Sequence, residues 1–347
     1  MNEGGIYALL CRQLSVIMRA NISPLNALKI CSDQIENKKL KKIVVQLAGD
    51  LSGGDKLSDA MKQHGDRFPE IAISAMEGAE KSGEWEKALQ SLADYFEMQA
   101  RLRESDRRST WIPALTAVLC VGLLAVITLQ VVPRFLGMFN GITYELPGIT
   151  KRVLAVSTFI GAQGKYILAV LLGLVLLRLL FMLTRFGKSF HATLKMHLPL
   201  TGPVNKSRLN AQFCKALSTL LKNGMPMQEA VRVMEDSVGG NERVRGELQA
   251  VSEQVASGMS LSNALKESSS FSPMILQMIS IGEESGTLPS ILDDMADYFE
   301  RNMKLKAHRK AVILETFFVL VLGIVMCIAV TAMVQPMMEF YDMVSGM

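Results

Sequence analysis

Apolar residues are concentrated in three blocks, at 112–132, 167–183 and 312–334 of the 347-residue chain. The first and third blocks have about 21 to 23 residues, and at about 1.5 Å per residue each can cross a hydrocarbon core about 30 Å thick. Arg178 interrupts the middle block. We expect this block to cross as well, because a long arginine side chain can reach the lipid head groups. The pattern therefore predicts three transmembrane helices.

The polar segments between these blocks have the periodicity of amphipathic helices. Leu10, Leu14 and Ile17 form a stripe at i, i+4 and i+7, which is typical of one helix face. Asn21 and Gly224 follow such stripes, and both residue types favour the left-handed conformation that ends helices. No segment shows the strict alternation of a β-strand. The polar segments are therefore predicted to be entirely helical.

The two polar segments also repeat each other. Cys11 and Cys214 are 203 residues apart, and the same offset pairs Ala93-Asp94-Tyr95-Phe96-Glu97 with Ala296-Asp297-Tyr298-Phe299-Glu300. Near Leu57 and Leu261 the match slips by one residue, which indicates an insertion in a loop. The repeating unit is thus a helical domain followed by a membrane helix. The second apolar block connects the two units.

This organisation predicts an all-α, polytopic membrane protein with two repeated cytoplasmic antiparallel bundles of about six helices each. The predicted parts are helical domain 1 (1–110), transmembrane helix 1 (111–133), a periplasmic loop (134–165), transmembrane helix 2 (166–184), helical domain 2 (185–311), transmembrane helix 3 (312–334) and a periplasmic tail (335–347).

Basic residues set the expected orientation. They cluster beside the spans on the sides assigned to the cytoplasm: Arg101, Arg103, Arg107, Arg108, Arg185, Lys188, Lys195, Lys304, Lys306, Arg309 and Lys310. We therefore expect a cytoplasmic N-terminus and a periplasmic C-terminus in a bacterial inner membrane. The formal net charge of +4 is accounted for by these flanks, so nucleic acid is not expected as a partner.

The sequence offers no catalytic constellation, and we expect no enzyme activity, cofactor or metal. Gly187-Lys188-Ser189 matches the end of a phosphate-binding loop, but Met182 stands where its first glycine belongs. The four histidines have no metal-ligand spacing. The five cysteines have no paired spacing either, so free thiols are expected.

Recurring polar residues near the ends of the two repeats are the candidate site. They are Glu80, Ser82, Gly83, Asp94 and Glu97 in the first copy, and Glu283, Glu284, Ser285, Gly286, Asp297 and Glu300 in the second. One interpretation is a docking surface for a basic partner or a cation site; the other is helix capping and ion pairing, which we favour. Within the membrane, Arg178 and Glu315 are candidate contacts for another subunit or a substrate helix, although both can also reach the interface.

Two stretches resemble the type II secretion system F domain family, whose members include the platform proteins of type IV pili. One is Leu198-Pro199-Leu200-Thr201-Gly202-Pro203, followed by the segment from Ala216 to Pro226. The other is Gly282-Glu283-Glu284-Ser285-Gly286-Thr287-Leu288 with the Ala296 to Glu300 motif. The first copy repeats these patterns more loosely, with Ala79 in place of the family's glycine. The resemblance covers nearly the whole chain.

The resemblance implies an inner-membrane platform that couples a cytoplasmic assembly ATPase to extraction and polymerisation of pilins. It also implies contacts with pilin or pseudopilin membrane helices and other inner-membrane assembly proteins, and a homo-oligomer in the lipid bilayer. The chain begins directly at its first domain, which resembles type IVb pilus platforms and favours pilus assembly. The alternative is a type II secretion platform that handles pseudopilins. A small-solute transporter is disfavoured, because the spans offer no broken helices or midplane polar set.

Overall fold

The structure is a computed structural model that describes residues 3–35, 38–65, 68–131, 134, 201–238 and 242–345. Within these ranges the chain consists of helices and the turns that join them, with no strand. This agrees with the predicted all-helical fold. The predicted middle span and the loop before it, including Arg178, lie outside the described residues.

Each sequence repeat contributes six α-helices within the described ranges. The first copy contains α1 (Glu3–Arg19), α2 (Pro24–Gln34), α3 (Lys38–Ser52), α4 (Leu57–Gln63), α5 (Glu70–Ser82) and α6 (Trp85–Val126). The second copy contains α7 (Gly202–Lys222), α8 (Met227–Val238), α9 (Glu242–Ala256), α10 (Leu261–Ala264), α11 (Pro273–Ser285) and α12 (Leu288–Ser345). A π-helical turn, Ile127–Val131, follows α6, and a 3₁₀ turn, Leu265–Glu267, follows α10.

The turns of the two copies share their backbone conformation. Left-handed φ angles occur at three matched pairs: Asn21 (59°) with Gly224 (77°), Gly54 (99°) with Gly258 (93°), and Gly83 (76°) with Gly286 (71°). A residue in this conformation ends a helix and lets the chain reverse, which explains why asparagine and glycine occupy these positions. Gly54 and Gly258 are 204 residues apart, one more than the offset of the other two pairs, in agreement with the one-residue insertion found in the sequence match.

Both copies contribute to one compact helical unit, which extends to Asp106 in α6 and to Ala307 in α12. Consecutive helices pack together from α1 to α5 and from α7 to α11, and α5 also packs against α7 and α8 of the other copy. A Cβ atom on Gly78 of α5 would lie 2.4 Å from the Asn223 carbonyl oxygen, so the two backbones approach too closely for a larger residue. The bounds of the two predicted cytoplasmic domains stay a prediction.

A second unit contains the later parts of α6 and α12, beginning at Arg107 and His308. These two helices are long and apolar enough to cross a membrane, and only 17% and 11% of their most apolar windows are buried. Such low burial within the described residues fits side chains that face lipid better than a buried core helix. The two helices therefore indicate a membrane protein, whereas the count of three spans stays a prediction.

Candidate functional site

Glu80 and Glu283 are a matched pair among the predicted site residues. Glu80 belongs to α5 and Glu283 to α11, and the carboxylate of each contacts the first residues of a short neighbouring helix. Glu80 accepts hydrogen bonds from the backbone N–H and the hydroxyl of Ser58, at 3.0 and 2.5 Å. Glu283 accepts from the backbone N–H groups of Leu261 and Ser262, at 2.6 and 3.1 Å. The first N–H groups of a helix have no partner within it, so these carboxylates stabilise α4 and α10. The contacts are those that the capping interpretation requires.

The neighbouring Ser-Gly pairs shape the hairpins before α6 and α12. Gly83 and Gly286 end α5 and α11 in the left-handed conformation. The Ser82 hydroxyl accepts a hydrogen bond from the Glu84 N–H at 3.2 Å, and the Ser285 and Thr287 hydroxyls are 2.6 Å apart. These glycines and hydroxyl groups fix the turn that joins the two helices of each hairpin.

Glu284, in contrast with Glu283, is exposed, and among the described residues its side chain accepts one long hydrogen bond, of 3.4 Å, from Ser280. Its carboxylate caps no backbone group among the described residues. Of the two adjacent glutamates, Glu284 is therefore the one whose charge is accessible to a partner. The docking interpretation stays a prediction for this residue.

Asp94 and Glu97 of α6 form an ion-pair cluster with Arg12 of α1. One guanidinium nitrogen lies 2.6 Å from the Asp94 carboxylate and 2.8 Å from that of Glu97. A second donor of the same guanidinium, Nε, reaches Glu97 at 3.1 Å. These hydrogen bonds raise the pKa of Arg12, Glu97 contributing most. The cluster ties the first helix of the copy to its last.

Glu300 matches Glu97 in the repeat, and each contacts the basic residue four positions later, Arg101 at 3.9 Å from Glu97 and Lys304 at 2.7 Å from Glu300. The Glu300 side chain is 6% exposed and accepts from Arg101 at 2.7 and 3.0 Å and from Lys304 at 2.7 Å. Burial alone would raise the pKa of Glu300, but the hydrogen bonds and charges of Arg101 and Lys304 outweigh it and lower that pKa. Arg101 belongs to the first copy, so Glu300 joins α12 to α6. Asp297 lies one turn earlier and contributes to the field that raises the pKa of Arg101.

Asp293 is a functional-site candidate that sequence reasoning missed. It accepts hydrogen bonds from Lys215 and Lys222, both at 2.6 Å. Burial would raise the pKa of Asp293, yet the two lysines lower it overall. The repeat gave no signal, because the matching position in the first copy is Gln90.

A polar seam, defined here as three side-chain pairs between α6 and α7, also escaped the sequence analysis. The pairs are Gln99 with Gln212 (2.7 Å), Asp106 with Arg208 (2.8 Å) and Ser91 with Asn223 (3.0 Å). At each of these six positions the other copy has a different type of residue, so a search for recurring residues could not find them. The seam connects the two copies through specific hydrogen bonds.

The remaining candidates lie in or near the apolar segments. Glu315 is exposed on α12 and forms no ion pair with any residue in the described ranges. Arg178 lies outside those ranges. Among described residues no group of three or more His, Cys, Asp or Glu could hold a metal. All five cysteines are free thiols, and burial raises the pKa of Cys11 to about 12.

Comparison with known proteins identifies the family. The sequence matches the family described as type II secretion system (T2SS), protein F, over residues 10–133 and again over 213–336. The two matched segments begin 203 residues apart, the same as the offset between the sequence repeats. They carry Glu80 and Glu283, the Ser-Gly turns and both acidic motifs.

Several curated relatives match over nearly the full length. The chain is 27% identical over 344 residues to "Type IV pilus assembly protein PilC" of Pseudomonas aeruginosa, covering 97% of this chain and 90% of that protein. It is 28% identical over 339 residues to the protein of the same name from Thermus thermophilus (97% and 83%). "Type II secretion system protein F" of Aeromonas hydrophila is 28% identical over 339 residues (97% and 87%). The chain belongs to the type II secretion system protein F family and carries two copies of the family's domain.

Proposed function

We propose that this protein is the inner-membrane platform of a type IV pilus assembly machine. In this role it couples a cytoplasmic assembly ATPase to the extraction and polymerisation of pilin subunits. The observation that carries the proposal is the pair of family domains, each ending in a helix that runs without a break from the compact unit into an apolar segment. Relatives named as type IV pilus assembly proteins match 97% of the chain.

The continuity of α12 supports a mechanical role. It is one helix of 58 residues, Leu288–Ser345. The same helix contains Glu300 with its ion pairs in the compact unit and the apolar residues 312–334. An intact helix transmits displacement along its axis because every turn is held by backbone hydrogen bonds. Motion imposed on the compact unit would therefore reach pilin helices in the bilayer through α12, whereas α6 lacks one backbone hydrogen bond at Pro113.

The proposed orientation places the N-terminus and both polar segments in the cytoplasm and the C-terminus in the periplasm, with three spans in the inner membrane. The basic flanks of α6 and α12 support it. Single cysteines placed at Lys222 and Thr143, in a variant that lacks the native cysteines, provide the test. An impermeant thiol reagent applied from the periplasm should label position 143 and leave position 222 unlabelled, and the reverse result would overturn the orientation.

The partners we propose are the assembly ATPase, pilin membrane helices, other inner-membrane assembly proteins and further copies of this chain. Purification of the tagged protein from its native membrane tests this set. Recovery of the ATPase and the major pilin would support the pilus role. Recovery of pseudopilins in place of pilin would support the alternative, a type II secretion platform, which the Aeromonas hydrophila relative favours.

A further inference from the structure

The second copy contains a polar cavity of about 540 Å³ between α7, α12 and the segment before α11. Three basic side chains line it: Lys206, Arg243 and Lys306. Four serines, two asparagines and Tyr298 supply further polar groups. Among the described residues that line the cavity, none is acidic. The cavity therefore concentrates positive charge and hydrogen-bond donors in one concave, partly open place.

The basic groups are held at the wall by hydrogen bonds to neighbouring polar atoms. Lys206 Nζ donates to the Ser269 carbonyl at 3.1 Å, and Arg243 Nη2 donates to the Ser269 hydroxyl at 2.7 Å. Lys306 Nζ donates to the Ser207 hydroxyl at 2.9 Å. An ammonium group carries three donors, and each recorded lysine bond uses one of them. The two lysines thus lie at the cavity wall in fixed positions and can still donate to an anion.

Asn210 is the buried polar group of this cavity. The residue is 1% exposed, and its Oδ1 atom has no hydrogen-bond partner in the part of the chain that the structure describes. An unsatisfied buried polar atom costs about 1 to 3 kcal/mol, so such groups normally have a ligand or water. Rotation of the amide exchanges its oxygen for its NH₂ group, which can donate to an anion.

The first copy explains why this cavity exists. Asn210 matches Tyr7, 203 residues earlier, and the Tyr7 ring centroid lies 5.8 Å from that of Phe68 and 5.6 Å from that of Phe96. An aromatic ring therefore fills the equivalent place in the first copy. Of the three basic positions, only Lys206 has a counterpart without positive charge, Glu3. The helices α3 and α9 match at an offset of 204 residues, so Arg243 matches Lys39, and Lys306 matches Arg103. The second copy therefore has a small polar side chain, Asn210, where the first copy has an aromatic ring.

One carboxylate, that of Glu247, lies near the cavity without lining it. It accepts hydrogen bonds from the hydroxyl groups of Ser268 and Ser269 and from the Ser270 N–H, and it pairs with Arg243 at 3.3 Å. Its contacts fix the serine segment against the cavity. The negative charge of Glu247 offsets the positive charge of Arg243. The two lysines therefore leave the cavity with a net positive charge.

From this geometry we propose that the cavity binds a phosphate group. The N-terminus of α7 at Gly202 also lines the cavity, and the N–H groups and dipole of a helix start favour phosphate oxygens. Two sources share this chemistry, a soluble phosphate compound and a phospholipid head group. Lys306 stands six positions before Val312, the start of an apolar block, which is about 9 Å along a helix. The proposal does not depend on the pilus assignment.

The test uses the purified full-length chain in a neutral detergent. One arm titrates inorganic phosphate and follows its ³¹P resonance, and the other measures retention of phosphatidylglycerol over phosphatidylcholine by native mass spectrometry. Asn210→Tyr fills the cavity as in the first copy, and a double variant, Lys206→Ala with Lys306→Ala, removes two cations at the wall. Arg103→Ala is the matched control, because Arg103 occupies the position of Lys306 in the first copy.

We expect the wild-type chain and Arg103→Ala to bind at least one probe, and both cavity variants to bind it about tenfold more weakly or not at all. Binding of phosphate alone identifies a soluble ligand, and binding of phosphatidylglycerol identifies a lipid. If Asn210→Tyr does not fold, binding by the double variant tests the proposal. Circular dichroism then shows whether the double variant keeps its helices. Failure of the wild-type chain to bind either probe, or equal binding by a folded cavity variant, would overturn the proposal.

Discussion

Residues that recur in the two copies share a position but do not always share partners. Glu80 and Glu283 accept hydrogen bonds at equivalent helix starts, whereas Glu97 pairs with Arg12 in its own copy and Glu300 pairs with Arg101 from the other copy. The pairs within one helix, Glu97 with Arg101 and Glu300 with Lys304, recur in both copies, whereas the partners from other helices do not. Side-chain partners depend on which copy lies next to which.

Glu283 and Glu284 provide a matched test of capping. Replacement of Glu283 by alanine removes the acceptor for two N–H groups at the start of α10, and we expect it to destabilise the fold by about 1 to 2 kcal/mol. Glu284→Ala should change stability by less than about 0.5 kcal/mol, because its side chain is exposed. Thermal unfolding in detergent measures both. Equal losses in the two variants would contradict the capping role of Glu283.

Glu300 should give the unfolding free energy a dependence on acid pH. Its pKa is lowered in the folded protein from an ordinary value of 4.5, so its contribution is present above that value and is lost as the pH falls through the folded pKa. Glu300→Gln should destabilise the protein at pH 7 by about 1 to 3 kcal/mol, near the lower figure because Arg101 is half exposed. The loss should shrink as the pH falls below 4.5.

Glu253→Gln is the control for this titration, because Glu253 is exposed on α9 and has no recorded ion pair. Thermal unfolding temperatures from pH 3 to pH 7, at about one-unit intervals, make the comparison. A constant difference between Glu300→Gln and the wild-type chain over this interval would show that the ion pairs do not couple folding to protonation.

Helix ends were the most predictable local feature, and side-chain partners the least. Asn21 and Gly224 were expected to adopt the left-handed conformation from residue type alone, and their φ angles of 59° and 77° confirm this. The contacts of Asp293 could not be predicted in the same way. They depend on the packing of α7 beside α12, which local sequence does not encode.

At the scale of elements, α12 carries the mechanical part of the account. Insertion of seven glycines between Lys306 and Arg309 should break the helix, whereas seven alanines add nearly two turns and keep it intact. We expect the glycine variant to abolish pilus assembly while membrane insertion and protein abundance are unchanged. The alanine variant should retain more pili, since its helix still transmits displacement.

Electron microscopy of surface pili, with immunoblots of membrane fractions, compares the two insertions. Normal piliation in the glycine variant would mean that the platform acts as a passive scaffold. Loss of both variants from the membrane would instead show that the length of this segment is needed for insertion, which the mechanical account does not predict.

The helical periodicity predicted the type of these elements better than their extent. Each copy contains six α-helices within the described ranges, whereas the predicted bundles of about six helices each stay a prediction. The π-helical turn Ile127–Val131 has no sequence signal that we recognise. Apolar runs mark where a helix can meet lipid but carry no information on local changes of its hydrogen-bond pattern.

For the molecule as a whole, the close packing of the copies against each other is the least predictable feature. The sequence repeat indicated equivalent units, but the α5 contact at Gly78 and the polar seam use positions that differ between copies. A self-comparison detects what the copies share. The contacts between the copies use positions at which the two sequences differ, so a self-comparison does not detect them.

Gly78→Ala tests that interface. Its new Cβ atom would lie 2.4 Å from the Asn223 carbonyl oxygen, so the helices must separate, and we expect a loss of about 1 to 3 kcal/mol. Gly246→Ala is the control, because Gly246 lies within α9 with no atom within 4 Å of an added Cβ, and alanine should raise stability there. Thermal unfolding in detergent should move in opposite directions. A stable Gly78→Ala variant would mean that the copies tolerate separation.

The central claim, that the chain is a pilus assembly platform, is tested most directly by counting surface pili after deletion of its gene in the native bacterium. A strain that carries the wild-type gene on a plasmid is the control, and secreted enzymes are assayed in parallel. We predict no surface pili in the deletion strain, full recovery with the plasmid, and unchanged secretion. Normal piliation in the deletion strain, with or without a secretion defect, would contradict the account.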